Sequence, residues 1–207
     1  YNKLVTNISA AERIFDILDT PAEITDREGS RDLPAVKGDV SFSHVDFAYT
    51  DEPDKLVLKD VNFSVKAGET IALVGPTGAG KTTIVNLISR FYDVTSGSVC
   101  IDGQDIREVT MESLRRQMGV MTQDTFLFTG TIRENICYGK ADAAEEEMIA
   151  AAKAVNAHDF IMEMEDGYDT KISERSAQLS IGQRQLLAFA RTMVSDPRIL
   201  ILDEATS

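Results

Sequence analysis

The spacing of apolar residues changes several times along the chain, and each change predicts an element. Over residues 1–18, Leu4, Ile8, Phe15 and Leu18, with Ala11 between them, recur at helical spacing. Ser9 and Glu12 form a Ser-x-x-Glu capping box, which predicts a helix starting or restarting there. Residues 19–39 hold two prolines, two glycines and six acidic residues, and they read as a linker. Val61, Phe63 and Val65 alternate with Asn62, Ser64 and Lys66, the period of a half-buried strand. After Ala67-Gly68-Glu69, the apolar run Thr70–Val74 predicts a buried strand. Asp102-Gly103, following Ser98–Ile101, predicts a hairpin turn. Helical patterns then dominate at Met111–Gln117, Ala143–Val155 and Gln183–Val194, and a last apolar strand, Ile199–Leu202, runs into Asp203-Glu204. Strands mixed with helices indicate an α/β fold, with a parallel core and an antiparallel portion near the start.

The chemistry lies at the ends of two of these strands. Gly75-Pro76-Thr77-Gly78-Ala79-Gly80-Lys81-Thr82 fits the pattern G-x-x-x-x-G-K-[ST] in full, between a predicted strand and a predicted helix. Glycines let the backbone curl so that successive N–H groups point inward at phosphate oxygens. The helix N-terminus adds partial positive charge. Lys81 is then the residue to reach the outer phosphates, and the Thr82 hydroxyl, followed by Thr83, the ligand for Mg²⁺. At the second strand, Ile199–Leu202 places Asp203 at the carboxyl end, where ligands collect in α/β sheets. Asp203 can hold the Mg²⁺ shell, and Glu204 can act as general base on the attacking water. A P-loop NTPase site is the reading these two motifs support.

Charge and composition narrow the partners. The net charge of −13 opposes nucleic-acid binding, which needs basic patches, whereas backbone amides and one lysine can hold ATP locally. No apolar run approaches the roughly 20 residues a membrane helix needs. Cys100 and Cys137 belong to no ligand-spaced cluster and read as buried small apolar residues. His44 and His158 make neither a metal site nor a catalytic dyad, and Glu145-Glu146-Glu147 reads as a solvated helix start.

Leu179-Ser180-Ile181-Gly182-Gln183-Arg184-Gln185, ahead of the Asp203 strand, resembles the signature motif of ATP-binding cassette proteins, usually read Leu-Ser-Gly-Gly-Gln. Ile181 stands where the motif has its first glycine. The resemblance implies a P-loop NTPase of the ABC ATPase kind, with a RecA-like parallel core, an N-terminal antiparallel β subdomain and a helical subdomain. It implies that Ser180, Gly182 and Gln183 complete the nucleotide site of a second cassette, so that a homodimer or heterodimer sandwiches two ATPs. Tyr49, after Val45-Asp46-Phe47, is similar to the aromatic that stacks on adenine, and Gln123 to the Q-loop glutamine that contacts Mg²⁺ and the attacking water. Read without the resemblance, Tyr49 is a packing residue and Ser180 a helix cap.

Phe126–Ile136 resembles the segment that, in the exporter branch, lies against the coupling helices of the membrane domain. Ile172–Arg175 is similar to the stretch that senses that domain, and residues 1–18 to the tail of a last membrane helix. The implied organisation is an arm over 1–18, a linker over 19–39 and a nucleotide-binding domain over 40–207. Its implied place is the cytoplasmic face of the cell membrane, beside its own transmembrane domain and a second cassette. In the family a D-loop and a switch histidine follow the Asp-Glu pair, so the cassette is expected to be incomplete at its C-terminus, poorly active and marginally stable alone. A soluble cassette ATPase of DNA repair or translation and a non-catalytic nucleotide-binding module are the alternative readings.

Overall fold

The computed structural model describes residues 11–121, 126–172 and 179–202. Four strands, β1 (Val40–Phe47), β2 (Leu58–Val65), β3 (Ser96–Ile101) and β4 (Gln104–Asp105), form an antiparallel sheet in the order β2-β1-β3-β4. Val40, Phe42, Val45 and Phe47 of β1 all face the core, although strict alternation would have put position 44 inside. The pairing with β2 shifts between Phe42 and Val45, and His44 takes a φ of 49° there. This bulge resets the period, so both halves of the strand bury their apolar side chains. Across the sheet Phe42 stacks on Phe63 with ring centroids 4.5 Å apart. The expected hairpin joins β3 to β4: Asp102 (φ 48°) and Gly103 (φ 79°) both adopt left-handed backbone, as a two-residue turn of this twist demands.

The P-loop helix α1 (Lys81–Ile88) and α2 (Met111–Arg116) accompany this sheet. Leu87, Val99, Ile101 and Leu114 share one apolar cluster with β1. The parallel portion consists of β5 (Met118–Met121) and β8 (Ile199–Leu202), paired in register from Met118 opposite Ile199 to Met121 opposite Leu202. Between them the chain builds a second cluster from α3 (Ile132–Cys137), α4 (Glu145–Ala154), α5 (His158–Met162) and α6 (Ile181–Met193). A short ribbon of β6 (Gly130–Thr131) and β7 (Lys171–Ile172) closes that helical region. The α/β class, the antiparallel start, the parallel pair and the helical subdomain all match the sequence-based expectation. Cys100 and Cys137, expected to be buried, are half-buried.

Two regions differ from expectation. Thr70–Val74 is not a buried strand: it joins no ladder among the described residues, and Ile71, Leu73 and Val74 are 50%, 38% and 92% exposed. An apolar run becomes a strand only when its N–H and C=O groups find a neighbouring strand, and no described strand lies beside this one. The second difference is the stretch read as a linker. From Thr25 onward it is docked along α2: Leu33 and Val36 are buried, Leu33 N–H donates to Ser113 Oγ (2.8 Å), and Val36 N–H donates to Gln117 Oε1 (2.8 Å). Its polar composition hid two apolar anchors and an acceptor-rich backbone. In the arm, residues 11–18 are helical as expected, while Ser9 of the predicted capping box lies outside the described residues.

Candidate functional site

The loop 75–80 leaves exposed backbone and curls into α1 through Gly80, whose φ is 86°. Gly80 is also packed closely: a Cβ there would lie 2.6 Å from Leu58 Cδ2, so the position needs glycine on two counts. Thr77, Gly78 and Ala79 form the outward turn, closed by Ala79 N–H donating to Pro76 O (3.1 Å). The Lys81 ammonium donates to Gly75 O (2.8 Å) and Pro76 O (3.1 Å), which holds the cation across the mouth of the loop. Helix α1 has no side-chain N-cap and no acidic residue in its first turn. By contrast, Thr110, Thr131 and Ser180 cap α2, α3 and α6 with their side-chain oxygens. An uncapped helix start, a curled glycine loop and a positioned ammonium together fit a phosphate chain.

Tyr49 lies beside this loop. Its hydroxyl lies 3.1 Å from Thr83 Oγ1, and its ring meets Phe47 and Tyr92 edge-on at 4.9 and 5.1 Å. The contact places a half-buried aromatic beside the first turn of α1, next to the phosphate cradle. For Mg²⁺, the described oxygen is the exposed hydroxyl of Thr82, one residue from Lys81. A phosphate-bound Mg²⁺ takes most of its ligands from phosphate and water, so one neutral hydroxyl fits such an ion. Gln123, Asp203 and Glu204, assigned from sequence to the metal and the attacking water, lie outside the described residues.

Ser180, Gly182 and Gln183 stand at the start of α6. Ser180 Oγ accepts from Gln183 N–H (3.2 Å), and Gln183 Oε1 accepts from Ser180 N–H (2.9 Å), a reciprocal capping box. Ile181 is 68% exposed beside them. These three residues make no hydrogen bond to the P-loop among the described residues. They belong to the helical region, whose apolar cluster is separate from that of the P-loop.

The sequence reading missed a polar node inside the helical region. Asn135, only 1% exposed, donates to Phe128 O (2.9 Å) and Thr131 O (3.0 Å), while its Oδ1 accepts from Phe128 N–H and an Arg191 Nη2 (2.8 Å each). Arg191 also donates to Asn135 O and Phe126 O (2.8 Å each) and lies over the rings of Phe128 and Tyr138 at 5.1 and 5.8 Å. Burial pulls its guanidinium below the usual arginine range. Above the node the rings of Phe126, Phe128 and Tyr138 are packed together and exposed, an apolar patch at the far end of the helix that begins at Ser180. The signal available in the sequence was Arg191 itself, a cation directly after the apolar stretch Leu186–Ala190.

The sequence profile of the ABC transporter family matches residues 58–207. The chain is 48% identical over its whole length to the ATP-dependent lipid A-core flippase of Syntrophus aciditrophicus (strain SB), of which it covers 34%. It is 50% identical over 99% of its length to a putative multidrug export ATP-binding/permease protein of Bacillus subtilis (strain 168), covering 35% of that protein. Among solved structures, a bacterial Atm1-family ABC exporter with ATP bound superposes with a TM-score of 0.87 at 43% identity, over 97% of this chain and 35% of that one. The chain thus spans about a third of the length of these relatives. Among the described residues no helix is long and apolar enough to cross a membrane. A matched profile that takes in the P-loop and the α6 capping motif, on this fold, shows that the chain belongs to the ABC transporter family and carries its ATPase domain, a P-loop NTPase fold.

Proposed function

We propose that this chain is the ATP-binding and ATP-hydrolysing part of a membrane exporter. The observation that carries the reading is the P-loop itself, where the Lys81 ammonium spans the loop mouth in front of an uncapped helix start. Gly75, Thr77, Gly78, Ala79, Gly80 and Thr83 shape and flank the cradle, with Lys81 on the outer phosphates and Tyr49 against the adenine. Thr82, Gln123 and Asp203 would hold Mg²⁺, which would supply positive charge against the phosphates. Glu204 takes the proton from the attacking water, and Gln123 orients that water. Ser180, Gly182 and Gln183 face the nucleotide of a second cassette, in a homodimer or a heterodimer.

The roles of the relatives, lipid A-core flipping and multidrug export, support an export function driven by this domain at the cytoplasmic face of the cell membrane. The exposed aromatic patch of Phe126, Phe128 and Tyr138 supports contact with the transmembrane domain of the same protein. Closure of two cassettes on ATP supplies the differential affinity that a two-state membrane domain needs in order to switch. In the full-length protein, Glu204→Gln is expected to retain ATP binding while turnover falls by about 10²-fold or more. Steady-state phosphate release with a parallel binding assay checks this; unchanged turnover removes Glu204 from its role.

A further inference from the structure

The stretch that leads into the cassette is fastened to the carboxyl end of the P-loop helix. Arg90 follows α1 and its side chain is fully buried. Its Nη1 donates to Val109 O (2.8 Å), its Nη2 to Thr25 O (3.2 Å) and its Nε to Asp93 Oδ1 (3.2 Å), with the Asp26 carboxylate 3.7 Å away. Asp26 in turn accepts from Met111 N–H at the start of α2 (2.8 Å), and Asp32 accepts from Thr110 Oγ1 (2.8 Å). Arg31 joins the same seam, exchanging backbone hydrogen bonds with Glu108 and Thr110 (3.1 and 3.0 Å). Arg115 reaches back from α2 to the carbonyls of Ser89 and Arg90 (3.1 and 2.9 Å). A guanidinium taken wholly out of water is tolerated only where its donors are met, so Arg90 and the backbone around Thr25 hold one another in place. The other end of the same helix, eight residues long, carries Lys81 and Thr82.

We propose that Arg90 is a positioning residue that ties residues 25–36, a strap lying along α2, to the end of the P-loop helix, so that nucleotide at Lys81 and docking of the strap stabilise each other. The strap continues into the helical arm over residues 11–18, whose Ile14, Phe15, Ile17 and Leu18 are exposed. The arm therefore has a route to the nucleotide helix, through the strap and the hydrogen bonds of Arg90, that is separate from the aromatic patch. The inference rests on nucleotide binding at the P-loop as proposed above. Coupling between two sites is reciprocal: if nucleotide tightens the strap by some factor, freeing the strap weakens nucleotide binding by that factor.

Hydrogen–deuterium exchange on the full-length protein tests this, with and without Mg²⁺ and the non-hydrolysable analogue AMP-PNP. The reporters are the amides of Arg31, Leu33 and Val36, each bonded across the seam. Nucleotide is expected to slow their exchange by about fivefold or more. Asp26→Ala with Asp32→Ala loosens the strap by removing its two side-chain anchors on Met111 N–H and Thr110 Oγ1, and with them the carboxylate beside Arg90, while the Arg90 bonds to Thr25 O, Val109 O and Asp93 remain. This pair is expected to remove that protection and raise the nucleotide Kd by a matching factor. Asp26→Asn with Asp32→Asn keeps an oxygen acceptor for Met111 N–H and Thr110 Oγ1 and restores both. Nucleotide that protects the P-loop amides but not the strap overturns the inference alone, as does an alanine pair that frees the strap at unchanged Kd. Absence of nucleotide binding in the parent protein overturns this inference and the functional reading together.

Discussion

At the residue scale, the least exposed polar side chains explain most. Asn135 satisfies four partners in the helical region, two from the segment at Phe128, one at Thr131 and one on Arg191. Truncating it leaves the backbone groups of Phe128 and Thr131 without their partner and takes one of three hydrogen bonds from the half-buried Arg191, so Asn135→Ala is expected to cost about 3 kcal/mol. Denaturant unfolding measures this, and a loss within the range of an ordinary surface substitution contradicts the node. Such residues were only partly legible in the sequence. Lys81 and Thr82 stood out because a chemical pattern surrounds them. Asn135 and Arg90 carry no pattern, since their meaning comes from backbone carbonyls that only the fold brings near. Tyr49 was singled out only through the family resemblance, and its contact with Thr83 was not legible.

At the element scale, α2, α3 and α6 start on a side-chain cap, whereas α1, α4 and α5 do not. Ser180 caps α6 through a reciprocal pair with Gln183, and Ser180→Ala is expected to lower stability by about 1 kcal/mol. If Ser180 also serves the second cassette, nucleotide-dependent dimerisation weakens by more than that stability loss alone produces, which analytical ultracentrifugation of the two proteins can separate. The hairpin strand β4 offers a titration test. Burial raises the Asp105 carboxyl, but hydrogen bonds and charge from Arg107 outweigh it and hold the group below the usual aspartate range. A lowered folded value means stability that is complete above the unfolded pKa and lost as pH falls through the folded one. Asp105→Asn is therefore expected to be less stable by about 1 kcal/mol at neutral pH and to converge with the parent in acid. A constant difference across that window contradicts the assignment. Elements with a strong period or a two-residue turn were readable in advance: β2, the Asp102-Gly103 hairpin, α6 and β8. Thr70–Val74 was not, because a parallel strand is defined by its neighbours, and periodicity cannot supply them.

At the scale of the whole molecule, two apolar clusters divide the work. One carries the antiparallel sheet and the P-loop helix; the other carries the helix that starts at Ser180. The P-loop, Tyr49 and Thr83 come together in the first, and the signature residues stand in the second. A site whose halves lie on different chains accounts for that separation under the proposed two-cassette arrangement. The class and the order of these parts were legible from the sequence, since the P-loop and the Ser180 motif each open a helix. The docking of residues 25–38 was not, because their composition is that of a loop and their anchors are few.

The central claim is that this chain holds ATP through the P-loop, and equilibrium binding of Mg·ATP to the full-length protein and to its Lys81→Ala variant tests it most directly. A charge-assisted hydrogen bond to phosphate is worth about 1.5–3 kcal/mol, so the variant is expected to bind about 10- to 100-fold more weakly. A Kd unchanged by loss of the Lys81 ammonium would contradict the account.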